Sequence, residues 1–172
     1  MRNLQVNIKD VLYLLRLYRH DLMNHLQLVD GYASMKQYEQ SQEKLHHLIM
    51  QLKNERQLQT LDAPQYVYWL LSLNLFEREM NFDFEIENHE TSIEDYDGQI
   101  THDGKRLFEQ IKAQLDSLIH LHILVQIKYD HDWYIKYHIK GIESLDDITF
   151  YSYGQLKVIK NEKETSFVFT YK

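Results

Sequence analysis

From Leu4 onward the apolar side chains recur at alternating steps of four and three: Leu4, Ile8, Val11, Leu15, Tyr18, Leu22, then His25 or Leu26, then Val29 and Ala33. That spacing keeps one face of a 3.6-residue helix apolar and predicts a long helix with a heptad seam, with Gly31 inside it. After a break near Lys36 to Glu39, Leu45, Leu48, Ile49, Leu52 and Leu58 repeat at similar intervals. They predict a second helix that stops before Asp62-Ala63-Pro64. Two such helices make an antiparallel hairpin. A lone hairpin leaves its own apolar stripe uncovered, so the pattern implies a homodimer in which two hairpins close into a four-helix bundle.

Past Pro64 the period changes. An aromatic-rich helical stretch from about Gln65 to Met80 precedes Phe82-Asp83-Phe84-Glu85-Ile86-Glu87, whose alternation predicts a strand. Residues 88–101 read as a polar loop, and Lys105 through Ile119 as a helix with Leu107, Phe108, Ile111, Leu115, Leu118 and Ile119 on its apolar face. A period of two then dominates in Ile123–Ile127, Trp133–Tyr137, Ile148–Tyr151, Leu156–Ile159 and Phe167–Phe169. The expected class is α+β. The hairpin domain covers residues 1–62, and residues 63–172 form an α/β two-layer domain with two helices on one face of a mostly antiparallel sheet.

Composition narrows the chemistry. A chain of 172 residues holds one ordinary domain or two small ones, and 44% hydrophobic with 26% charged residues suffices for a packed core. Without cysteine there is no disulfide, thiolate metal site, iron–sulfur cluster or cysteine nucleophile. The net charge of -7 is unevenly spread: residues 1–62 carry eight Lys/Arg against seven Asp/Glu, whereas residues 63–172 carry eleven against nineteen. Acidic character repels phosphate backbones, so no nucleic-acid partner is expected. The polar start Met1-Arg2-Asn3-Leu4-Gln5 and the lack of a long apolar window give the expectation of a cytoplasmic protein with no membrane partner.

Ten histidines raise the question of a metal. Adjacent residues on a helix point about 100° apart, so His46 and His47 do not converge on one ion, and His120 and His122 share a face only if both lie on a strand. No metal is expected. His20 is different because its direction can be argued. With Leu15, Tyr18 and Leu22 on the seam, His20 falls on the outermost position, in a polar row with Arg16, Asn24 and Gln27. An exposed imidazole is largely neutral near neutral pH and offers a nucleophilic ring nitrogen. Exposed helical histidines are also ordinary, so position alone leaves both readings open.

The string Leu17-Tyr18-Arg19-His20-Asp21-Leu22-Met23-Asn24-His25-Leu26-Gln27 resembles the R-H-D-x-x-N-x-L phospho-acceptor box of two-component histidine phosphotransfer proteins. The likeness is to the sporulation initiation phosphotransferase B family, with the helical segment of citrate/fumarate-type sensor kinases next. The resemblance implies that His20 is the phospho-acceptor and that Arg19, Asp21 and Asn24 orient the ring or meet the incoming partner. It also implies a second domain resembling a degenerate kinase ATPase domain. A kinase would read N-L-x-x-N-A where this chain reads Gln110-Ile111-Lys112-Ala113-Gln114-Leu115, and neither D-x-G-x-G nor G-x-G-x-G occurs. Phosphate-cradling backbone needs such glycines, so no ATP use and no cofactor of its own is expected.

The implied function is a phosphotransferase of a two-component phosphorelay. A phosphohistidine would carry the phosphoryl group between response-regulator receiver domains, which bring Mg²⁺ themselves. Arg16, Tyr18, Met23, Leu26 and Gln27 are candidate docking residues, although the plainer expectation for Tyr18, Met23 and Leu26 is that they seal the bundle. The competing reading is a non-catalytic dimeric docking module that binds and inhibits a regulator or a kinase. An ATP-dependent kinase fragment is a third reading, which the missing glycine boxes disfavour.

Overall fold

The computed structural model describes residues 8–76, 80–87, 91–114, 120–140, 148–161 and 164–172. Its contacts divide the chain into two units, Met1–Lys53 and Asn54–Lys172, whereas the sequence changes character at Pro64.

The first unit is a helical hairpin. Helix α1 runs Ile8–Ser34 and α2 runs Tyr38–Gln57, so the predicted seam positions before Ile8 lie outside the described residues. The α1 end is a Schellman closure: Gln37 N–H donates to the Tyr32 carbonyl and Lys36 N–H to the Ala33 carbonyl, both at 2.9 Å. Lys36 takes the left-handed conformation, φ 61°, that glycine usually occupies there. Across the turn the Ser41 hydroxyl donates to the Val29 carbonyl at 2.9 Å, and Leu48 is buried.

On α1 the less exposed row is Val11, Leu14, Tyr18, Leu22, His25, Val29 and Tyr32. Leu14 therefore takes the place expected for Leu15, which is 51% exposed. The two are adjacent and both leucine, so spacing alone does not choose between them. At the alternative seam position His25 faces the covered side and Leu26 is exposed. No residue of α1 is buried.

The second unit is built on a five-stranded sheet. After α3 (Pro64–Phe76) come β1 (Met80–Ile86), α4 (Asp97–Gln114), β2 (Leu121–Asp130), β3 (Asp132–Lys140), β4 (Gln155–Asn161) and β5 (Glu164–Tyr171). The strand order is β1-β2-β3-β5-β4. Among the described residues β1 pairs parallel with β2, and the other three ladders are antiparallel. Alternation places Phe82, Phe84, Ile123, Val125, Ile135, Tyr137, Phe167 and Phe169 on one face, where they form a single core with Tyr66, Trp69 and Leu70 of α3 and Leu107, Phe108 and Ile111 of α4. This is the two-layer α+β arrangement expected.

Three boundaries differ from the expectation. The aromatic helix ends by Phe76, and Met80 already opens β1, because its side chain sits in the core at the sheet edge. The region 88–101 is not all loop: a single turn at Glu94–Tyr96 leads into α4 at Asp97, eight residues before the predicted start. Asp97 is buried, and its carboxylate accepts the Gln65 and Tyr66 amides at 3.0 and 2.9 Å, capping α3 from a distant part of the chain. The predicted strand Ile148–Tyr151 is irregular. Ile148 is buried in the core and Tyr151 exposed, and among the described residues the segment joins no ladder. The predicted end of the last helix, 115–119, lies outside the described residues.

Asp103, fully buried on α4, holds that irregular segment. Its carboxylate accepts the Tyr153 amide at 2.9 Å, the Gly154 amide at 2.8 Å and the Tyr171 hydroxyl at 2.9 Å. Beside it the Tyr66 and Tyr137 hydroxyls are 2.6 Å apart. Burial pushes all three tyrosines well above the ordinary phenol range. For Tyr171 the neighbouring Asp103 charge adds to the effect of burial.

Candidate functional site on helix α1

A helix turns 100° per residue, so residues four and seven apart share a row. Arg16, His20, Asn24 and Gln27 form such a row on α1, and all four are exposed. They lie on the side opposite Val11, Tyr18, His25 and Val29, which is the covered side. The imidazole of His20 therefore points away from the hairpin. Its Nδ1 lies 3.2 Å from the Asn24 side-chain amide nitrogen.

The remaining motif positions fall on other faces. Arg19 is exposed on the adjoining row, beside Leu15, Met23 and Leu26. Asp21 turns the other way, its carboxylate 3.6 Å from Nε2 of His25, so of the three residues expected to orient His20 only Asn24 reaches the ring. Tyr18 is half-buried on the covered side, while Met23 is 48% and Leu26 41% exposed. Two exposed arginines lie within one turn of His20, Arg16 on its own row and Arg19 on the adjoining one, with the exposed Asp21 next in sequence.

Other histidines are engaged elsewhere. On the open face of the sheet, His122 Nε2 lies 3.3 Å from Asp83, which also accepts from Asn54 at 2.9 Å. His138 bridges the Ser166 hydroxyl at 2.8 Å and Glu164 at 3.3 Å. Asn54, Asp83, His122 and His138 border a cleft of about 290 Å³ lined also by Glu85, Leu124 and Lys140. Period-two reading places His122 on that face, but its partner Asp83 comes from a different strand through the β1–β2 register, which no local pattern shows. Among the described residues no three His, Asp or Glu side chains converge as metal ligands, and no helix is long and apolar enough to cross a membrane.

Comparison with known proteins bears on the helical hairpin first. Residues 1–61 match the family model described as sensor kinase SpoOB-type, alpha-helical domain. Over 174 aligned residues the chain is 24% identical to sporulation initiation phosphotransferase B of Bacillus subtilis strain 168, covering 94% of this chain and 91% of that protein. Among solved structures, the histidine kinase ThkA in complex with the response regulator protein TrrA aligns with a TM-score of 0.43 and 12% identity over 90% of this chain, which spans 59% of that chain. The nucleotide-free catalytic domain of ThkA aligns with a TM-score of 0.40 and 13% identity, covering 69% of this chain and 92% of that domain. The helical hairpin thus matches the SpoOB-type alpha-helical domain over residues 1–61, and the chain is similar along nearly its whole length to the Bacillus sporulation initiation phosphotransferase B.

Proposed function

We propose that this protein is a histidine phosphotransferase that relays a phosphoryl group between response-regulator receiver domains through a phosphohistidine at His20. The observation that carries the reading is the direction of His20: the ring stands out from α1 on the side opposite the covered stripe, in a row of polar side chains, within the segment that matches the family. A ring nitrogen of His20 attacks the phosphorus of a donor aspartyl phosphate. The N–P bond forms as the P–O bond breaks, and the donor aspartate leaves as carboxylate. The second half-reaction reverses this with the acceptor's aspartate. Such transfer depends mainly on in-line placement and neutralisation of charge, so the chain's own contribution is to present His20 rigidly, with Arg16 on the same row offsetting the phosphoryl charge. Mg²⁺, supplied with the receiver, would neutralise the rest.

In this reading the hairpin works as a homodimer. Ile8, Leu12, Leu15 and Leu26 line an exposed row of α1, and Leu45 and Ile49 are exposed on α2. A second hairpin would cover these leucines and isoleucines and complete a four-helix bundle, leaving the His20 row outside. The similarity to sporulation initiation phosphotransferase B supports placing this role in a phosphorelay of the sporulation type.

The test is to incubate the purified chain with a phosphorylated, Mg²⁺-loaded receiver panel and follow acid-labile phosphate on wild type and His20→Gln. Label on wild type that disappears in His20→Gln supports the reading. Intact receiver binding with no label on wild type would overturn it in favour of a docking module without phosphoryl chemistry.

A further inference from the structure

The cations on the open face of the sheet fall into two groups. Lys128, Lys140 and His122 each face a carboxylate, at 3.1, 4.0 and 3.3 Å from Glu87, Glu164 and Asp83. Lys136 of β3 and Lys157 of β4 do not: among the described residues neither side chain makes an ion pair or a hydrogen bond. The register sets these two lysines on either side of Val168 of β5, in one cross-strand row. Val168 stands between the buried Phe167 and Phe169, so the row lies on the open face. Residues 63–172 carry eleven Lys/Arg against nineteen Asp/Glu. Within an acidic unit, the β4 side of the sheet therefore keeps unmatched positive charge.

β4 is also an outermost strand. The order β1-β2-β3-β5-β4 leaves its outer edge without a ladder among the described residues. Such an edge presents backbone N–H and C=O groups with which an extended chain can pair. The strand reads Gln155-Leu156-Lys157-Val158-Ile159-Lys160-Asn161, with no acidic residue, and Val158 and Ile159 are 36% and 42% exposed. Asp103 fixes the amides of Tyr153 and Gly154 immediately before it, so the edge is ordered in advance and a docking strand has less freedom to remove. The opposite edge differs on both counts. β1 carries Asp83 and Glu85, and its Ile86 N–H already donates to the Gln57 side-chain oxygen at 3.2 Å.

A second copy of the chain does not suit the β4 edge. Antiparallel self-pairing that brings Val158 against Ile159 also sets Lys157 against Lys160, and like charges directly opposite are unfavourable. The complement of Lys157-Val158-Ile159-Lys160 has acidic side chains at its ends and apolar ones between them, and it reads the same in either strand direction. We propose that an extended segment of a partner protein with this acidic-apolar-apolar-acidic pattern adds to β4 as a sixth strand. Its carboxylates meet Lys157 on the open face and Lys160 on the other, and its apolar pair covers Val158 and Ile159. This recognition is independent of the chemistry at His20.

The test titrates the full ¹⁵N-labelled chain with the end-blocked peptide Ser-Glu-Val-Val-Glu-Ser and, separately, with Ser-Lys-Val-Val-Lys-Ser, following backbone amides by NMR. The glutamate peptide should shift the amides of residues 155–161 and bind about tenfold or more tightly than the lysine peptide. Added salt should weaken it. Combining Lys157→Glu with Lys160→Glu, both at exposed positions, should reverse the preference with circular dichroism unchanged. An equal response to the two peptides, or shifts that map away from β4, would overturn the proposal. So would binding by neither peptide, which would leave the lysines as guards that keep the edge unpaired.

Discussion

Helix α1 and the sheet unit use apolar side chains in opposite ways. None of the residues of α1 is buried, and Ile8, Leu12, Leu15, Met23 and Leu26 are open to solvent. The sheet unit encloses a continuous core from Leu58 to Tyr171, and among the described residues no buried side-chain polar atom lacks a hydrogen-bond partner. The comparison teaches a division of labour. The sheet unit places most of its large apolar side chains in its own core, while α1 keeps apolar side chains on one exposed row and a histidine on another, which the proposed function assigns to a second copy and to a receiver.

Loss of Asp103 should show that self-sufficiency most strongly. Asp103→Ala strands the Tyr153 and Gly154 amides and the Tyr171 hydroxyl in a buried site, at a cost of about 3 kcal/mol or more in the sheet unit. Chemical denaturation read by tryptophan fluorescence measures it, since Trp69 and Trp133 both lie in that core. An unchanged midpoint would mean the segment does not depend on its anchor.

Two helical glycines sharpen the contrast, because the same substitution should act with opposite sign. A Cβ at Gly104 would meet the Trp69 ring at 2.4 Å and the Tyr137 hydroxyl at 2.8 Å, so Gly104→Ala should destabilise by about 1–3 kcal/mol. At Gly31 a Cβ meets nothing within 4 Å, and Gly31→Ala should stabilise α1 by up to about 1 kcal/mol through helix propensity. Thermal melts of both variants check the pair; destabilisation by both would erase the distinction.

Alkaline pH gives the smallest effect. Tyr66, Tyr137 and Tyr171 are held protonated in the fold above the ordinary phenol value of 10.0. The unfolded chain therefore releases these protons first as pH rises, and the stability they confer, complete below that value, declines above it. Denaturation midpoints of the sheet unit should fall past about pH 10, and Tyr66→Phe should blunt the slope.

How much of this was legible in the sequence depended on whether the deciding contact was local. Strands such as Phe82–Ile86 were readable because burial alternates residue by residue. The outward direction of His20 was readable because helical rows repeat at four and seven, and Asn24 lies on the same row. The start of α4 was not, because Asp97-Gly98 and Asp103-Gly104 are turn signals in isolation. In the fold both aspartates serve distant backbone, capping α3 and pinning Tyr153 and Gly154. The same applies to Asp21: the motif places it beside His20, and a competing partner one turn on, His25, takes it.

The central claim is that phosphoryl chemistry resides on the open hairpin and not in the enclosed sheet unit. The most direct measurement is to expose the wild-type chain, in parallel, to a phosphorylated receiver and to labelled ATP alone, and to map any acid-labile phosphate by mass spectrometry. The account predicts label from the receiver only, on His20. Label acquired from ATP alone, or mapped to any other histidine, would contradict it.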